Sequence, residues 1–300
     1  MLRLVLVLLP WIAVGCTLVE DLDGYAGGPR DSGSADTQVP ALDTAAFDTA
    51  VADTSVVDSA ETPDTSVTVD TKPDTQPTDV ATDVTVDTAP PPYRHTVTID
   101  GTNDFNATAE KLTTTTAGFD TYVSWDDNAL YFGYVGSDLG AGATANKWVL
   151  VYVDVDPGTA NGATKTEAYG TQQHTLPSGF AADVYFALKT DESFQQLKKY
   201  SAGTWTTVAT SGVTFKRTAS SNFVEIRIPF SALTATPSRL GVLGFMLNEE
   251  TTGPWTWAGT WNGSFIDGNS PIATPKAIGN WLQVDLSSAA SPSAAANKKP

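Results

Sequence analysis

The sequence predicts an all-β protein, an antiparallel β-sandwich of jelly-roll-like form preceded by a disordered linker. Short runs of β-branched and aromatic residues recur from residue 93 onward, separated by clusters of Gly, Asn, Thr and Pro. None of these runs shows the 3.6-residue period of an amphipathic helix. A parallel α/β sheet would need crossover helices, and the pattern offers none.

The elements follow in order. Thr121 to Trp125 passes through Asp126-Asp127-Asn128 into Leu130 to Val135, two β-rich runs joined by turn formers, and so predicts a hairpin. Trp148 to Val155 is apolar on both faces, as a central strand covered on both sides would be. Further strands are predicted over Ala182 to Leu188, Gln195 to Tyr200, Trp205 to Val208 and Val213 to Arg217. Phe223 to Ile228 alternates, with Val224, Ile226 and Ile228 toward a core and Glu225 and Arg227 outward. Leu240 to Asn248 and the alternating Trp281 to Leu286 complete about ten strands, a number that suits a sandwich.

Charge divides the chain. The 300 residues carry 34 acidic and 17 basic side chains. Residues 31–90 hold 13 of the acids and a single lysine, Lys72, with almost no aromatics. Such a segment cannot bury enough apolar surface to offset about 1–2 kcal/mol of backbone entropy per residue. Within it Asp-Thr or Asp-Ser pairs recur every four to six residues, from Asp43-Thr44 to Asp87-Thr88, too closely for a solenoid. The segment reads as an extended spacer that could reach some 250 Å at roughly 3.3 Å per residue. Its spacing does not match an EF-hand loop or a glycine-rich calcium repeat.

The N-terminus carries Arg3, then an apolar run interrupted by Pro10, ending at Ala13-Val14-Gly15-Cys16. The run is too short to span a membrane and reads as a signal peptide. Small residues before the chain's one cysteine resemble the lipobox of bacterial lipoproteins, with Ala13 where leucine is usual. That resemblance implies a diacylated Cys16, palmitate-type chains, and an exported protein tethered to the cell envelope, at the outer membrane if the host is Gram-negative. An ordinary secretory signal with an incidental cysteine is the alternative. The expected division is a signal peptide (1–15), a lipid-anchored linker (16–92), the sandwich (93–287) and a disordered tail (288–300), acting as a monomer.

Several motifs occur in a definite order. Val97-Thr98-Ile99-Asp100-Gly101 opens the domain, followed by Tyr122 to Asp126, Leu130 to Tyr134, Val151 to Gly158, Leu176 to Gly179, Ala182-Asp183-Val184 and Val224 to Pro229. This order resembles the family nine carbohydrate-binding modules and the related DOMON-like sandwiches over most of 96–286. The resemblance implies a sandwich, often with bound calcium, that captures sugars or, in some branches, haem.

Two local features are candidate sites. Pro254 to Gly263 places Trp255, Trp257 and Trp261 among Gly, Thr and Asn; an extended chain would put Trp255 and Trp257 on one side. Stiff indole faces suit a sugar ring, and Glu250 and Asn262 could orient its hydroxyls. The tryptophans could equally cap the end of the core. In Asp154-Val155-Asp156-Pro157-Gly158 the two carboxylates share a side at a strand end, which suits calcium if further donors such as Asn161 or Glu167 join them. A solvated turn before Pro157 is the alternative.

Other classes find less support. Lys198-Lys199 and Lys216-Arg217 are isolated pairs, so no basic cluster is present for nucleic acid. No Gly-x-Ser-x-Gly or His-Glu-x-x-His motif occurs, and Gly140 to Ala145 lacks the βαβ setting of a dinucleotide site. Asn248-Glu249-Glu250 alone does not make a glycosidase pair. A non-catalytic carbohydrate-binding domain is therefore expected. A structural or adhesive envelope protein is the alternative, and a haem protein using His95, His174 or Met246 is a weaker one.

Overall fold

The computed structural model describes residues 89–300 apart from Ser211, 234–236 and Ser264. Cys16, the signal peptide and the Asp-Thr spacer up to residue 88 lie outside the described residues. The strands are β1 (Lys111–Thr113), β2 (Asp120–Trp125), β3 (Ala129–Val135), β4 (Lys147–Asp154) and β5 (His174–Thr175). Next come β6 (Val184–Lys189), β7 (Gln195–Ser201), β8 (Thr204–Val208), β9 (Thr214–Thr218) and β10 (Phe223–Pro229). The last are β11 (Arg239–Asn248), β12 (Trp255–Trp257), β13 (Lys276–Ala277), β14 (Trp281–Asp285) and β15 (Lys298–Lys299).

Two antiparallel sheets form, as expected of a sandwich. One runs β1-β2-β3-β10-β9; the other runs β15-β14-β11-β4-β6-β7-β8, with β12 added to β11. The β2–β3 hairpin closes where Asp126 Oδ1 accepts the N–H groups of Asn128 and Ala129 at 2.7 and 2.9 Å, an Asx-type turn. Between the sheets lie Trp125, Phe132, Tyr134, Val149, Val151, Val153, Phe186 and Ile226, all 2 % exposed or less. Each such side chain contributes about 1.5–3 kcal/mol of apolar burial.

β4 is apolar on both faces for a visible reason. Val149, Val151 and Val153 face the inter-sheet core, while Trp148, Leu150 and Tyr152 face a second core on the outside of the larger sheet. Loops carrying Tyr169, Leu176, Phe180, Phe265 and Ile278 roof that second core, helped by the parallel pair β5–β13.

The outer face of the smaller sheet is covered too. A strap bearing Val97, Ile99 and Phe105 packs on Tyr122, Tyr131 and Phe223. This corrects the reading of Glu225 as a solvent-facing residue of β10. Its carboxylate is fully buried beneath the strap and accepts the Gly101 N–H, and burial raises its pKa. The strap is fastened at Glu110, also fully buried, which accepts Tyr93 Oη–H at 2.8 Å, Ser124 Oγ–H at 2.5 Å and Asn106 N–H at 2.6 Å. His95 Nδ1 lies 2.7 Å from the same carboxylate.

The C-terminus differs from the expected disordered tail. Lys298 and Lys299 pair with Leu282 and Trp281 of β14, and Asn297 is buried. Ser293 N–H donates to Ala109 O at 2.8 Å, and Tyr93 N–H donates to Ser288 O at 2.8 Å. Small Ser and Ala residues carry no periodic signal, but the backbone of this segment finds partners on β14 and at Ala109.

Candidate functional site

β11 positions the tryptophan segment. One edge of this ten-residue strand is shared: β14 pairs with its first part, Arg239 to Val242, and β12 with its last, Met246 to Asn248. Between them Thr260 fills the gap, its N–H donating to Gly244 O at 2.9 Å while its Oγ1 accepts Gly244 N–H at 2.6 Å. A side chain at 244 would collide with the Tyr134 hydroxyl and lie 2.9 Å from Leu150 O, so only glycine allows this approach. Thr121 Oγ1–H, from the smaller sheet, donates to Thr260 O at 3.0 Å and ties the segment to both layers.

Within β12 the side chains alternate as an extended chain requires. Thr256 is buried on one side, its Oγ1 3.2 Å from His174 Nε2 and 2.7 Å from Gly268 O. Burial lowers the His174 pKa to about 4, so the ring is neutral at neutral pH. Trp255 and Trp257 share the other side and line one cleft of about 310 Å³. Trp255 is 50 % exposed, whereas Trp257 is 5 % exposed and packs edge-on against Phe119 at 6.4 Å.

The polar rim comes from four places in the chain. Lys147 Nζ bridges Asp138 Oδ1 at 2.6 Å and Gly142 O at 2.9 Å, and Asn248 stands opposite Lys147 in the β4–β11 register. Asp267 accepts the hydroxyls of Thr115 and Thr116 at 3.1 and 2.7 Å. Reciprocal backbone bonds between Thr256 and Gly268, at 3.0 and 2.9 Å, hold that loop beside Trp255. A second hollow of about 510 Å³, lined by Ile266, Phe265 and Gly279, meets the cleft at Asp267. The cleft thus joins a half-exposed indole to an ammonium and an amide carried on strands and to two carboxylates carried on hydrogen-bonded turns.

Of the residues expected here, Trp255 and Trp257 come together and three do not. Trp261 is half-buried against the inter-sheet core with Lys298 Nζ 5.6 Å above its ring. Asn262 gives its backbone carbonyl to Lys298 Nζ at 2.7 Å, and Glu250 accepts Asn146 Nδ2–H at 2.8 Å outside the cleft. Phe119, Asp138, Lys147, Asn248 and Asp267 were not foreseen, because strand register rather than sequence proximity assembles them.

Asp154 and Asp156 form a second constellation with Asp183, with an oxygen of each within 4.8 Å of the others. Asp183 precedes β6, which pairs with the end of β4, so the register brings it to Asp154. Burial pushes the Asp154 pKa up to about 6; N–H bonds from Ala181 and Asp156 oppose this, and the charges of Asp183 and Asp156 add to it. Burial likewise raises Asp183. Among the described residues none of the three is in an ion pair, and Asp156 Oδ1 is buried without a hydrogen-bond partner. Asn161 donates its amide to Asp156 Oδ2 at 3.2 Å. Glu167 does not join; it is held by Lys198 Nζ at 2.5 Å. Clustered oxygens with an unmet acceptor fit a hard divalent cation.

The haem ligands are not assembled. Met246 lies in the inter-sheet core, His174 packs on Phe245 outside the larger sheet, and His95 is bound at Glu110.

No protein-family model matches the chain, and no curated protein does. Among solved structures it is similar to a family 9 carbohydrate binding module from Caldicellulosiruptor kristjanssonii in complex with cellotriose. The identity is 16 %, over 56 % of this chain and 80 % of that one, with a TM-score of 0.34. A family 9 carbohydrate binding module from the same organism in complex with glucose gives 17 % identity over 56 % of this chain and 82 % of that one, with a TM-score of 0.32.

Proposed function

We propose that this domain is a non-catalytic carbohydrate-binding module and that the Trp255 cleft is its sugar site. The observation that carries the reading is the half-exposed Trp255 sharing a cleft with buried Trp257. A large apolar face left in water beside convergent polar groups is what a hydroxylated ring needs: stacking on its C–H face and hydrogen bonds at its edge. Asp138, Lys147, Asn248 and Asp267 supply donors and acceptors at that edge. Tryptophan fluorescence and calorimetry with glucose and cellotriose, then a wider glycan panel, test this. Binding lost in Trp255→Ala supports it. A panel with no ligand would favour the structural or adhesive role.

The acidic cradle has its own role. Asp154, Asp156 and Asp183 hold a structural calcium ion that offsets two of their three negative charges between the end of β4 and the start of β6. The unpartnered Asp156 Oδ1 supports this, and the ion's chemistry is charge neutralisation only.

The domain is carried on a lipid anchor at Cys16, with the Asp-Thr segment as a spacer that lets it reach glycans away from the envelope. Support for this part is the sequence order of basic residue, short apolar run, small residues and cysteine.

A further inference from the structure

The β7–β8 hairpin carries a third constellation, on the far edge of the larger sheet. Its two-residue turn, Ala202-Gly203, has both residues at positive φ, 51° and 84°, the twist a tight hairpin favours. The strands therefore reach their tip in register, with Tyr200 opposite Trp205 and their rings 5.1 Å apart at 61°. Trp205 also meets Tyr185 edge-on at 4.9 Å and Tyr152 at 6.1 Å, so its ring is fixed yet only half-buried.

Facing these rings is a hollow of about 320 Å³ walled by Thr164, Lys165, Glu167 and Gln173. The wall is rigid. Thr166 and His174 exchange bonds at 3.0 and 2.9 Å, and Leu176 N–H donates to Thr164 O at 2.9 Å. Glu167 is clamped by Lys198 Nζ at 2.5 and 2.7 Å and by the Tyr185 hydroxyl. Lys165 is exposed and, among the described residues, in no ion pair.

This hollow shares three features with the Trp255 cleft, a partly free indole, a carboxylate held by lysine and an amide, and adds an uncommitted donor in Lys165. We infer that the Trp205 hollow is a second, independent binding site for a hydroxylated sugar ring, making the domain bivalent. β12, on the edge of β11 away from β4, stands five strand steps from β8, about 24 Å at the usual strand spacing. Trp257 faces the inter-sheet core whereas Trp205 packs on Tyr152 of the outer core, so the two sites open on opposite faces of the larger sheet. Two neighbouring polysaccharide chains could occupy them, and linkage through one rigid domain would raise avidity.

Calorimetry of the full chain with cellotriose, xylotriose, maltotriose and chitotriose tests the inference. The expected result is two equivalents per chain for at least one of these sugars. Trp205→Ala should weaken one of the two by about tenfold or more, the loss typical of an aromatic anchor. Because Trp205 also packs on Tyr152 and Tyr185, the exposed Lys165→Ala serves as a fold-neutral second variant and should weaken the same equivalent several-fold. Trp255→Ala should leave the Trp205 equivalent intact. The inference is overturned by a single equivalent that neither Trp205→Ala nor Lys165→Ala affects, or by a Trp255→Ala chain that binds none of the four sugars. Binding lost in Trp205→Ala but kept in Trp255→Ala would instead remove the Trp255 cleft as the sugar site.

Discussion

Trp255 and Trp257 stand two residues apart on the same side of β12, one half exposed and the other 5 % exposed, so neighbouring indoles have opposite energetic roles. Trp255→Ala is expected to abolish sugar binding at this cleft and change unfolding stability by less than about 0.5 kcal/mol. Trp257→Ala should cost about 3–5 kcal/mol of stability. Denaturant midpoints measured beside binding isotherms separate the two. A Trp255→Ala protein that is strongly destabilised would place this indole in the core.

Gly244 accepts no side chain, since Tyr134 and Leu150 crowd the space a Cβ would take. Gly244→Ala should therefore destabilise the domain by about 1–3 kcal/mol and loosen β12 with it. Gly253→Ala, at a position open to solvent, serves as the control. Equal midpoints for the two variants would contradict the close approach.

Asp154 gives a pH dependence whose sign is unusual for a carboxylate. Its folded pKa of about 6 lies above the ordinary carboxylate value of 3.8, so between about pH 4 and pH 6 the folded state binds the extra proton. Without added metal, stability should fall as pH rises through this window, and Asp154→Asn should flatten the slope. Calcium should restore stability above pH 6, by about 2.7 kcal/mol at a hundredfold excess over its Kd. Thermal scans with calcium and with chelator, in the parent and in Asp156→Asn, check this. A parent indifferent to calcium would remove the ion from the cradle.

Limited proteolysis of the full chain should leave a core that begins near Tyr93 and still contains Lys299, because both ends are bonded into the domain. Mass spectrometry of the resistant fragment reads both boundaries. Loss of residues 288–300 at the rate of the spacer would contradict the β14–β15 pairing.

Cys16→Ser should move the protein from the membrane fraction to the soluble fraction or block its processing. Fractionation and N-terminal sequencing decide. Unchanged membrane association with a mature N-terminus elsewhere would reject the anchor.

What was legible in the sequence was local. The β2–β3 hairpin could be read because Asp126 and Asn128 sit between two β-rich runs, and the double-sided burial of β4 because its apolar run has no polar alternate. Glu225 could not be read, since its cover arrives from Gly101, 124 residues earlier. The cleft failed in the same way: Lys147 and Asn248 meet only through the β4–β11 register, and Asp267 only through the Thr256–Gly268 bridge. Trp261 and Asn262 looked eligible by proximity to Trp255, but the turn at Ala258, with φ at 53°, and the Thr260 anchor send the chain elsewhere.

The fastening of the strap at Glu110 has a mechanical consequence. Any pull on the chain ahead of Tyr93 falls first on the Tyr93 hydroxyl, on the Arg94 guanidinium bonded to Asp127 and to Leu286 O, on His95 Nδ1 and on the two backbone bonds Tyr93 N to Ser288 O and His95 N to Trp125 O. These few bonds would share the load, and once they break the strap would peel from its sheet before the strands between the two layers are strained. Glu110 acts in this sense as a clip, setting the tension at which the domain starts to yield while the Trp205 hollow, built on the other sheet, keeps its shape.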